Sequence, residues 1–253
     1  MVSPDGGPPH PLVVGRVVHG TTAEGPFRRS AVWTQGCSIR CAGCINPHLF
    51  GTAGGETVDP VALAGEIVAA DVEGVTLLGG EPFDQADACA DVAEAVGAAG
   101  LGVITSTGHA HESLVGRDVG AFRLLAATDL LVDGPYRRGD AETTRSLVGS
   151  TNQRFIHLTR RYRSFEPGRH RNRVDVRIEP SGVVRVAGFL TRPARPVVDG
   201  TGEADLRLFG ARFRATYGAR SCRERAPLGS AGWRSDSGNS CRPRRWCWRR
   251  WRG

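Results

Sequence analysis

The sequence predicts an α/β fold built from parallel βα units, followed by a C-terminal β-hairpin and a basic tail. Between residues 59 and 158, short apolar runs alternate with helical patterns, and this spacing is typical of parallel βα units. Two further alternating runs surround Pro180-Ser181-Gly182, which indicates a hairpin. Residues 220–253 instead combine arginine with tryptophan and show neither helical nor strand periodicity.

The first part of the chain supplies two strands before the first helix. Residues 1–11 are rich in Pro and Gly, and we expect them to be a flexible lead-in. Residues 12–18 form a β-branched run, and residues 31–35 read as a strand that leads into a cysteine-containing loop. Asp59-Pro60 then starts a helix, because Asp suits the N-cap and Pro the first helical position. The predicted apolar face of this helix consists of Leu63, Ile67 and Val68.

The βα units that follow place three conspicuous segments at strand ends. We predict strands over 75–78, 101–105, 130–132 and 155–158, and helices over 84–99, near 111–115 and over 122–126. The chemistry of such folds lies at the C-terminal ends of the strands. The three segments found there are the cysteine loop, Gly79-Gly80-Glu81-Pro82 and Asp133-Gly134-Pro135.

The chain beyond the hairpin is expected to differ from its body. We assign residues 12–190 to the main domain and 191–219 to a possible helical extension, with a helix over 203–213. Residues 220–253 form a tail that we expect to be disordered. The tail has ten arginines and two acidic residues, Glu224 and Asp236, so its net charge is +8. The whole chain has a net charge of +7, so the rest of the chain has a net charge of −1. A body of this charge offers no phosphate-binding face, and we expect no nucleic-acid partner.

The sequence also predicts a protein that does not span a membrane. No run approaches the roughly 18 apolar residues that a membrane helix needs. The first residues lack both the basic start and the apolar stretch of a signal peptide. We therefore expect a cytoplasmic protein without a membrane partner.

The cysteines indicate a metal centre rather than disulfides. The count of seven is odd, and three of them form the C-x3-C-x2-C array Cys37, Cys41 and Cys44. Thiolates are the soft ligands that iron–sulfur clusters take, and four irons usually take four of them. Three thiolates on one loop leave one iron without a protein ligand, and an open position is what a catalytic centre needs.

A zinc site completed by His48 or Cys89 is the alternative. Zinc sites more often use paired C-x2-C elements, and no second pair is present. Cys89 falls on the apolar stripe of its predicted helix together with Val92, Ala93 and Val96, which favours a buried core position. His48 is interpreted as a loop residue.

The cysteine loop and its flanks resemble a known superfamily. The C-x3-C-x2-C loop is the signature of radical S-adenosylmethionine (SAM) enzymes, and residues 33–37 and 44–47 look like their glycyl-radical-enzyme activases. The chain is most similar to the activating proteins of anaerobic ribonucleotide reductases. The motifs that carry this likeness, in family order, are Gly25-Pro26 with Arg29, Gly79-Gly80-Glu81-Pro82, Leu131-Val132-Asp133-Gly134-Pro135-Tyr136 and Gly149-Ser150-Thr151-Asn152-Gln153-Arg154.

The resemblance implies one [4Fe–4S] cluster on Cys37, Cys41 and Cys44, with SAM chelating the open iron. One electron would cleave the sulfonium to methionine and a 5′-deoxyadenosyl radical. The implied SAM contacts are Gly79, Gly80 and Glu81 for the methionine amino group, Gly43 and Ile45 for adenine, and Thr105, Ser106 and Asp133 for ribose or methionine.

Two of these assignments have a second reading, and one residue departs from the family pattern. Gly-Gly-Glu-Pro is often only a turn, and Asp133 before Gly-Pro could cap a turn. Ile45 stands where the family usually has an aromatic residue, so adenine could pack there but not stack. We also expect Gly80 to contact SAM without touching the cysteine loop, so that a substitution there spares the iron.

The resemblance further implies the fold and the partners. The fold would be a small, partial (βα) barrel of the radical SAM type, open on one side so that a glycine-bearing loop of another protein can enter. The partner would be a glycyl radical enzyme, with anaerobic ribonucleotide reductase first, and a flavodoxin or ferredoxin would donate the electron. The alternatives are a radical SAM enzyme acting on a small molecule or peptide, and a zinc-binding module whose tail binds nucleic acid.

Overall fold

The computed structural model describes residues 10–178 and the segments 184–188, 197–198, 204–208 and 211–215. The backbone forms two units, residues 1–194 and 195–253. The elements of the first unit are β1 (Leu12–Thr21), β2 (Arg29–Thr34), β3 (Glu56–Val58), α1 (Pro60–Ala69), β4 (Gly74–Gly79), α2 (Ala86–Ala98), β5 (Gly102–Ser106), α3 (His111–Leu114), α4 (Val119–Ala127), β6 (Leu130–Asp133), β7 (Arg154–His157), β8 (Val174–Ile178) and β9 (Val184–Gly188).

A seven-stranded sheet organises the first unit and confirms the predicted α/β class. Its strand order is β3-β1-β2-β4-β5-β6-β7. The central strands β2, β4, β5 and β6 are parallel, whereas β1, β3 and β7 pair antiparallel at the two ends. Strands β3 and β7 do not pair with each other in the described sheet, so it is open on one side.

The predicted series of parallel strands is wrong at its last member. Strand β7 runs antiparallel to β6, with Leu130 opposite His157 and Asp133 opposite Arg154. The described connection between them contains no helix. A parallel return usually needs a helical crossover, whereas an antiparallel one does not. Strand β7 is therefore the antiparallel edge strand at this end of the sheet.

Helices α1, α2 and α4 pack against one face of the sheet. Asp59 caps α1 by accepting a hydrogen bond from the Ala62 N–H at 2.8 Å, and Leu63 and Ile67 are buried as predicted. Val68 is 43% exposed, so its assignment to the apolar face was wrong. Cys89 is fully buried in the core of α2, which agrees with its interpretation as a core residue.

A buried arginine fastens the amino-terminal edge of the parallel strands. The Arg29 side chain is fully buried, and its Nη1 lies 3.2 Å from a Glu73 carboxylate oxygen. Its Nε donates to Thr76 Oγ1 at 2.6 Å, and its Nη2 donates to the Tyr162 hydroxyl at 3.2 Å. The cysteine loop and the other predicted site segments lie at the opposite edge, where the parallel strands end.

Residues 174–188 contain the predicted hairpin strands. Strands β8 and β9 pair antiparallel, with Val176 opposite Val186, and the turn at Pro180-Ser181-Gly182 lies outside the described residues. Within the described ranges, no helix combines the length and the apolarity needed to cross a membrane.

The second unit corrects the helix predicted over 203–213. Its described strands are β10 (Val197–Val198), β11 (Ala204–Leu208) and β12 (Ala211–Ala215), which pair antiparallel in that order. Apolar and charged residues alternate with a period of two in both Ala204–Leu208 and Ala211–Ala215, and this period suits a strand rather than a helix. Residues 1–9 of the lead-in predicted over 1–11, and the tail over 220–253, lie outside the described residues.

Candidate functional site

The cysteine loop begins where β2 ends. Gly36 has a φ of +93° and Gly43 a φ of +81°, conformations that glycine adopts without the steric cost of a Cβ. The Cys44 N–H donates to the Cys41 carbonyl at 3.2 Å, which closes a tight turn between the last two cysteines. The thiols of Cys37, Cys41 and Cys44 are free and half-buried.

Neighbouring polar side chains hold the loop in place. Gln35 donates through Nε2 to the Gly51 carbonyl at 2.6 Å, and Gln85 donates to the Gln35 carbonyl at 2.9 Å. Asp84 accepts from the Ser38 N–H at 2.7 Å and from the Ser38 hydroxyl at 2.8 Å. Asp84 and Gln85 lie far from the cysteine loop in sequence, so no local pattern pointed to them, whereas Gln35 belongs to the segment 33–37 that precedes the cysteines.

The donor set fits an iron–sulfur cluster. Burial raises the pKa of the Cys37 and Cys44 thiols, so both are protonated in the free protein and a bound metal must displace the protons. Among the described residues, no group of three or more His, Cys, Asp or Glu side chains is placed so that it could hold a metal ion, so the fit rests on the type and spacing of the three cysteines. Three thiolates are the ligands that a [4Fe–4S] cluster takes while one iron stays open.

A cavity of about 340 Å³ joins the cysteines to several predicted SAM-contacting residues. It lies at the carboxyl edge of the parallel strands, as predicted from the strand ends. Ile45 is 59% exposed and contributes an apolar part of its wall. The predicted site residues that line it are Cys37, Cys41, Cys44, Ile45, Gly79, Gly80, Glu81 and Ser106.

The Gly-Gly-Glu segment packs directly on the start of the cysteine loop. The Gly80 N–H donates to the Thr34 carbonyl at 2.9 Å, and the Glu81 N–H donates to the Gly36 carbonyl at 2.8 Å. A Cβ on Gly80 would lie 2.7 Å from the Thr34 oxygen and closer still to the Gly36 oxygen. The expectation that Gly80 is separate from the cysteine loop was therefore wrong.

Glu81 is a buried carboxylate that connects two loops. Its side chain is 1% exposed, and it accepts from Phe83 N–H at 3.0 Å, Thr107 Oγ1 at 2.8 Å and Gly108 N–H at 2.9 Å. Burial raises its pKa to about 7, although these hydrogen bonds oppose the shift. The carboxylate thus fixes the segment after β4 to the segment after β5.

Three predicted contacts lie away from the cavity wall. Thr105 is fully buried and its hydroxyl bonds to that of Thr128 at 2.8 Å, on the opposite face of β5 from Ser106. Asp133 is also fully buried, where it accepts from Arg154 Nε at 2.9 Å and from the His111 N–H at 2.7 Å. Gly43 faces the Arg138 side chain instead.

Glu24 and Thr107 line the cavity although the sequence analysis did not select them. Thr107 follows Ser106 at the end of β5, and this adjacency was the available signal. Glu24 is buried, and its Oε1 accepts from the Gly188 N–H of β9 at 2.6 Å. Burial raises the Glu24 pKa to about 7. Its position depends on the hairpin, which sequence reasoning placed only as a separate element.

The segment 149–153 completes the wall. Gln153 accepts from the Gly149 N–H at 2.8 Å and donates to the Gly134 carbonyl at 3.3 Å. Asn152 donates to the Pro135 carbonyl at 2.8 Å. The two motifs that end β6 and precede β7 are thus held together by these amide side chains.

Comparison with known proteins matches this part of the chain. The family described as "4Fe-4S single cluster domain" matches residues 23–156, just over half of the sequence. The pyruvate formate-lyase 1-activating enzymes of Escherichia coli (strain K12) and of Shigella flexneri are each 32% identical over 146 residues, which cover 55% of this chain. The chain spans 57% of the length of these relatives. Among solved structures, QueE from Escherichia coli aligns with 16% identity and a TM-score of 0.33, covering 40% of this chain and 54% of QueE.

Proposed function

The chain belongs to the family of 4Fe-4S single-cluster domains, and from this premise we propose that it is a radical SAM activase. In this proposal it cleaves SAM reductively and generates a glycyl radical on a partner enzyme. Cys37, Cys41 and Cys44 hold the cluster. The observation that carries the proposal is the shared cavity of these cysteines with Gly79, Gly80 and Glu81.

When bound, the cluster and SAM supply one-electron cleavage of the sulfonium, which ends in methionine and 5′-deoxyadenosine after a hydrogen atom leaves the partner's glycine. The chain's own residues bind and orient. Backbone oxygens of Gly79 and Gly80 would accept hydrogen bonds from the methionine ammonium, and Ile45 would pack on adenine. The Ser106 hydroxyl would bond to the ribose or to the methionine.

The Glu81 carboxylate is not free to bind SAM directly. Both of its oxygens already accept hydrogen bonds from Phe83, Thr107 and Gly108. It therefore positions the loops that would surround SAM, and a cationic neighbour would favour its ionised form. SAM provides one through its ammonium and sulfonium groups.

The partner is a glycyl radical enzyme, and anaerobic ribonucleotide reductase is our first choice. The order of the motifs at 131–136 and 149–154 supports that choice. The names of the relatives support pyruvate formate-lyase as the second candidate. The open side of the sheet suits either, because a loop of a separate protein must reach the cavity.

Electron paramagnetic resonance (EPR) of a reconstituted mixture tests the proposal. Cluster-loaded protein, SAM and dithionite are incubated anaerobically with anaerobic ribonucleotide reductase or with pyruvate formate-lyase. We expect a glycyl radical signal on the reductase, and no signal when its radical-bearing glycine is replaced by alanine. If SAM is cleaved but neither partner gains a radical, the activase assignment is wrong.

A further inference from the structure

Two arginines flank the turn that carries the second and third cysteines. Arg40 precedes Cys41 and is exposed. The exposed Arg138 lies over Gly43, with its Nε, Cδ and Cγ atoms 3.2, 3.3 and 3.6 Å from where a Gly43 Cβ would stand. Since the Cys44 N–H bonds to the Cys41 carbonyl, both arginines sit on the same turn. We call Arg40 and Arg138 the cationic rim.

The charges near this turn are mainly positive. Residues 37–48 contain Arg40 and no acidic residue, and residues 134–140 contain Arg137, Arg138 and Asp140. The acidic residues nearby are Asp140, which lies 3.9 Å from Arg137, and Asp84, which accepts two hydrogen bonds from Ser38. The three arginines outnumber these two aspartates. No described acidic side chain lies within salt-bridge distance of Arg40 or Arg138. These two charges are therefore open to a partner.

The backbone of Arg40 adds a second observation. Its φ is +50°, in the left-handed region of backbone conformation that residues other than glycine rarely occupy. Glycine would relieve this strain, yet the position holds a long cationic side chain without a described ion pair. Strained backbone of this kind is concentrated at functional sites.

We propose that the cationic rim is the docking surface for an acidic one-electron carrier protein. The inference rests on the proposed function, which needs one electron from outside for each SAM cleaved. The electron passes from the carrier to the cluster, so the carrier is oxidised and the cluster reduced by one electron, and no bond forms or breaks at the rim. Ala42 and Gly43 are exposed, so a carrier seated on this turn approaches the cluster ligands with little protein between them.

The chemistry of the rim suits a small, transient complex. Guanidinium groups pair well with carboxylates, and electron-transfer encounters bury little surface. Charges at such a surface mainly accelerate association, and salt screens them. A few unpaired arginines beside the redox centre are therefore sufficient to steer an acidic carrier.

The test compares charge reversal at the rim with charge reversal elsewhere. The variants are Arg40→Glu with Arg138→Glu, Arg138→Glu alone, and Arg163→Glu as control. Arg163 is exposed and follows Tyr162, whose hydroxyl donates to Glu73 at the opposite edge of the sheet. Reduced flavodoxin, a small acidic flavoprotein, serves as the carrier, and stopped-flow absorbance follows reduction of the cluster. Calorimetry measures the dissociation constant of the complex between each variant and oxidised flavodoxin.

We expect the double variant to be reduced about 10-fold more slowly than wild type at low ionic strength and to bind flavodoxin more weakly. The difference should shrink near 1 M salt, where the Debye length is about 3 Å. Arg138→Glu alone should give a smaller loss, and Arg163→Glu none. With dithionite as reductant, all variants should be reduced and should cleave SAM at the wild-type rate.

Two results would overturn the docking surface. One is unchanged reduction and binding by flavodoxin in both rim variants. The other is an equal loss with flavodoxin and dithionite, since the arginines would then act on the cluster or the SAM cavity. Failure of the wild type to cleave SAM even with dithionite would instead refute the proposed function.

Discussion

Gly80→Ala tests how closely the Gly-Gly-Glu segment and the cysteine loop are packed. The new Cβ would stand 2.7 Å from the Thr34 oxygen and nearer to the Gly36 oxygen, whereas carbon and oxygen normally keep about 3.3 Å. Both neighbours are backbone atoms, so neither can rotate away. The backbone at Thr34 must move away by about 0.6 Å and the cysteine loop at Gly36 by more, which lengthens the hydrogen bond from the Glu81 N–H to Gly36.

The expected cost follows from these contacts. Overpacking costs about 1–3 kcal/mol, and a weakened hydrogen bond adds about 1 kcal/mol. A loss of about 2–4 kcal/mol lowers Tm by roughly 5–15 °C in a chain of this size. Because Gly36 directly precedes Cys37, we also expect the variant to bind less iron, as well as less SAM.

Iron and sulfide analysis, thermal unfolding and SAM calorimetry measure the three effects. Gly65→Ala is the matched control, because a Cβ there meets nothing within 4 Å in helix α1. That change should raise stability by about 0.5–1 kcal/mol and leave the iron content unchanged. A Gly80→Ala protein with wild-type iron content and Tm would refute the packing argument.

Three further predictions follow from buried groups. Burial raises the Glu24 pKa from 4.5 to about 7. Protonation of Glu24 therefore stabilises the folded protein, by on the order of 3 kcal/mol. This stabilisation is fully present below about pH 4.5 and is lost as the pH rises through 7. Glu24→Gln should therefore lose less stability between pH 5 and pH 8 than wild type in urea unfolding, and an equal loss would contradict this. Arg29→Met should lower the free energy of unfolding by about 3 kcal/mol. This is the low end for a broken buried ion pair, because the Glu73 side chain is 28% exposed. A Tm within 2 °C of wild type would show that the Arg29 network is dispensable. Cys89→Ala should cost about 1 kcal/mol by leaving a small cavity in the core but keep the full iron content, and iron loss would make Cys89 a ligand.

The sequence predicted the parts of the fold that follow from periodicity. The βα alternation, the cap at Asp59 and the burial of Cys89 all depend on local patterns, and the structure confirms them. The orientation of β7 does not depend on such a pattern, because its own residues look the same in either direction. The connection that precedes it decides the direction, and there the prediction failed.

The candidate site shows the same division. The cysteine array and the Gly-Gly-Glu segment meet because parallel strands bring their ends to one edge of the sheet. Thr105 and Ser106 both lie at a strand end, but successive side chains point to opposite faces, so only one of them reaches the cavity. Asp133 is occupied by Arg154 and by the His111 N–H, partners that sequence spacing does not disclose.

Reductive SAM cleavage tests the central claim most directly. Protein reconstituted anaerobically with iron and sulfide is mixed with SAM and dithionite, and methionine and 5′-deoxyadenosine are quantified by chromatography. The account predicts equal amounts of the two products from wild type and none from Cys41→Ala, which should also fail to assemble the cluster. Absence of both products from wild type that carries a full cluster, or cleavage at the wild-type rate by Cys41→Ala, would contradict it.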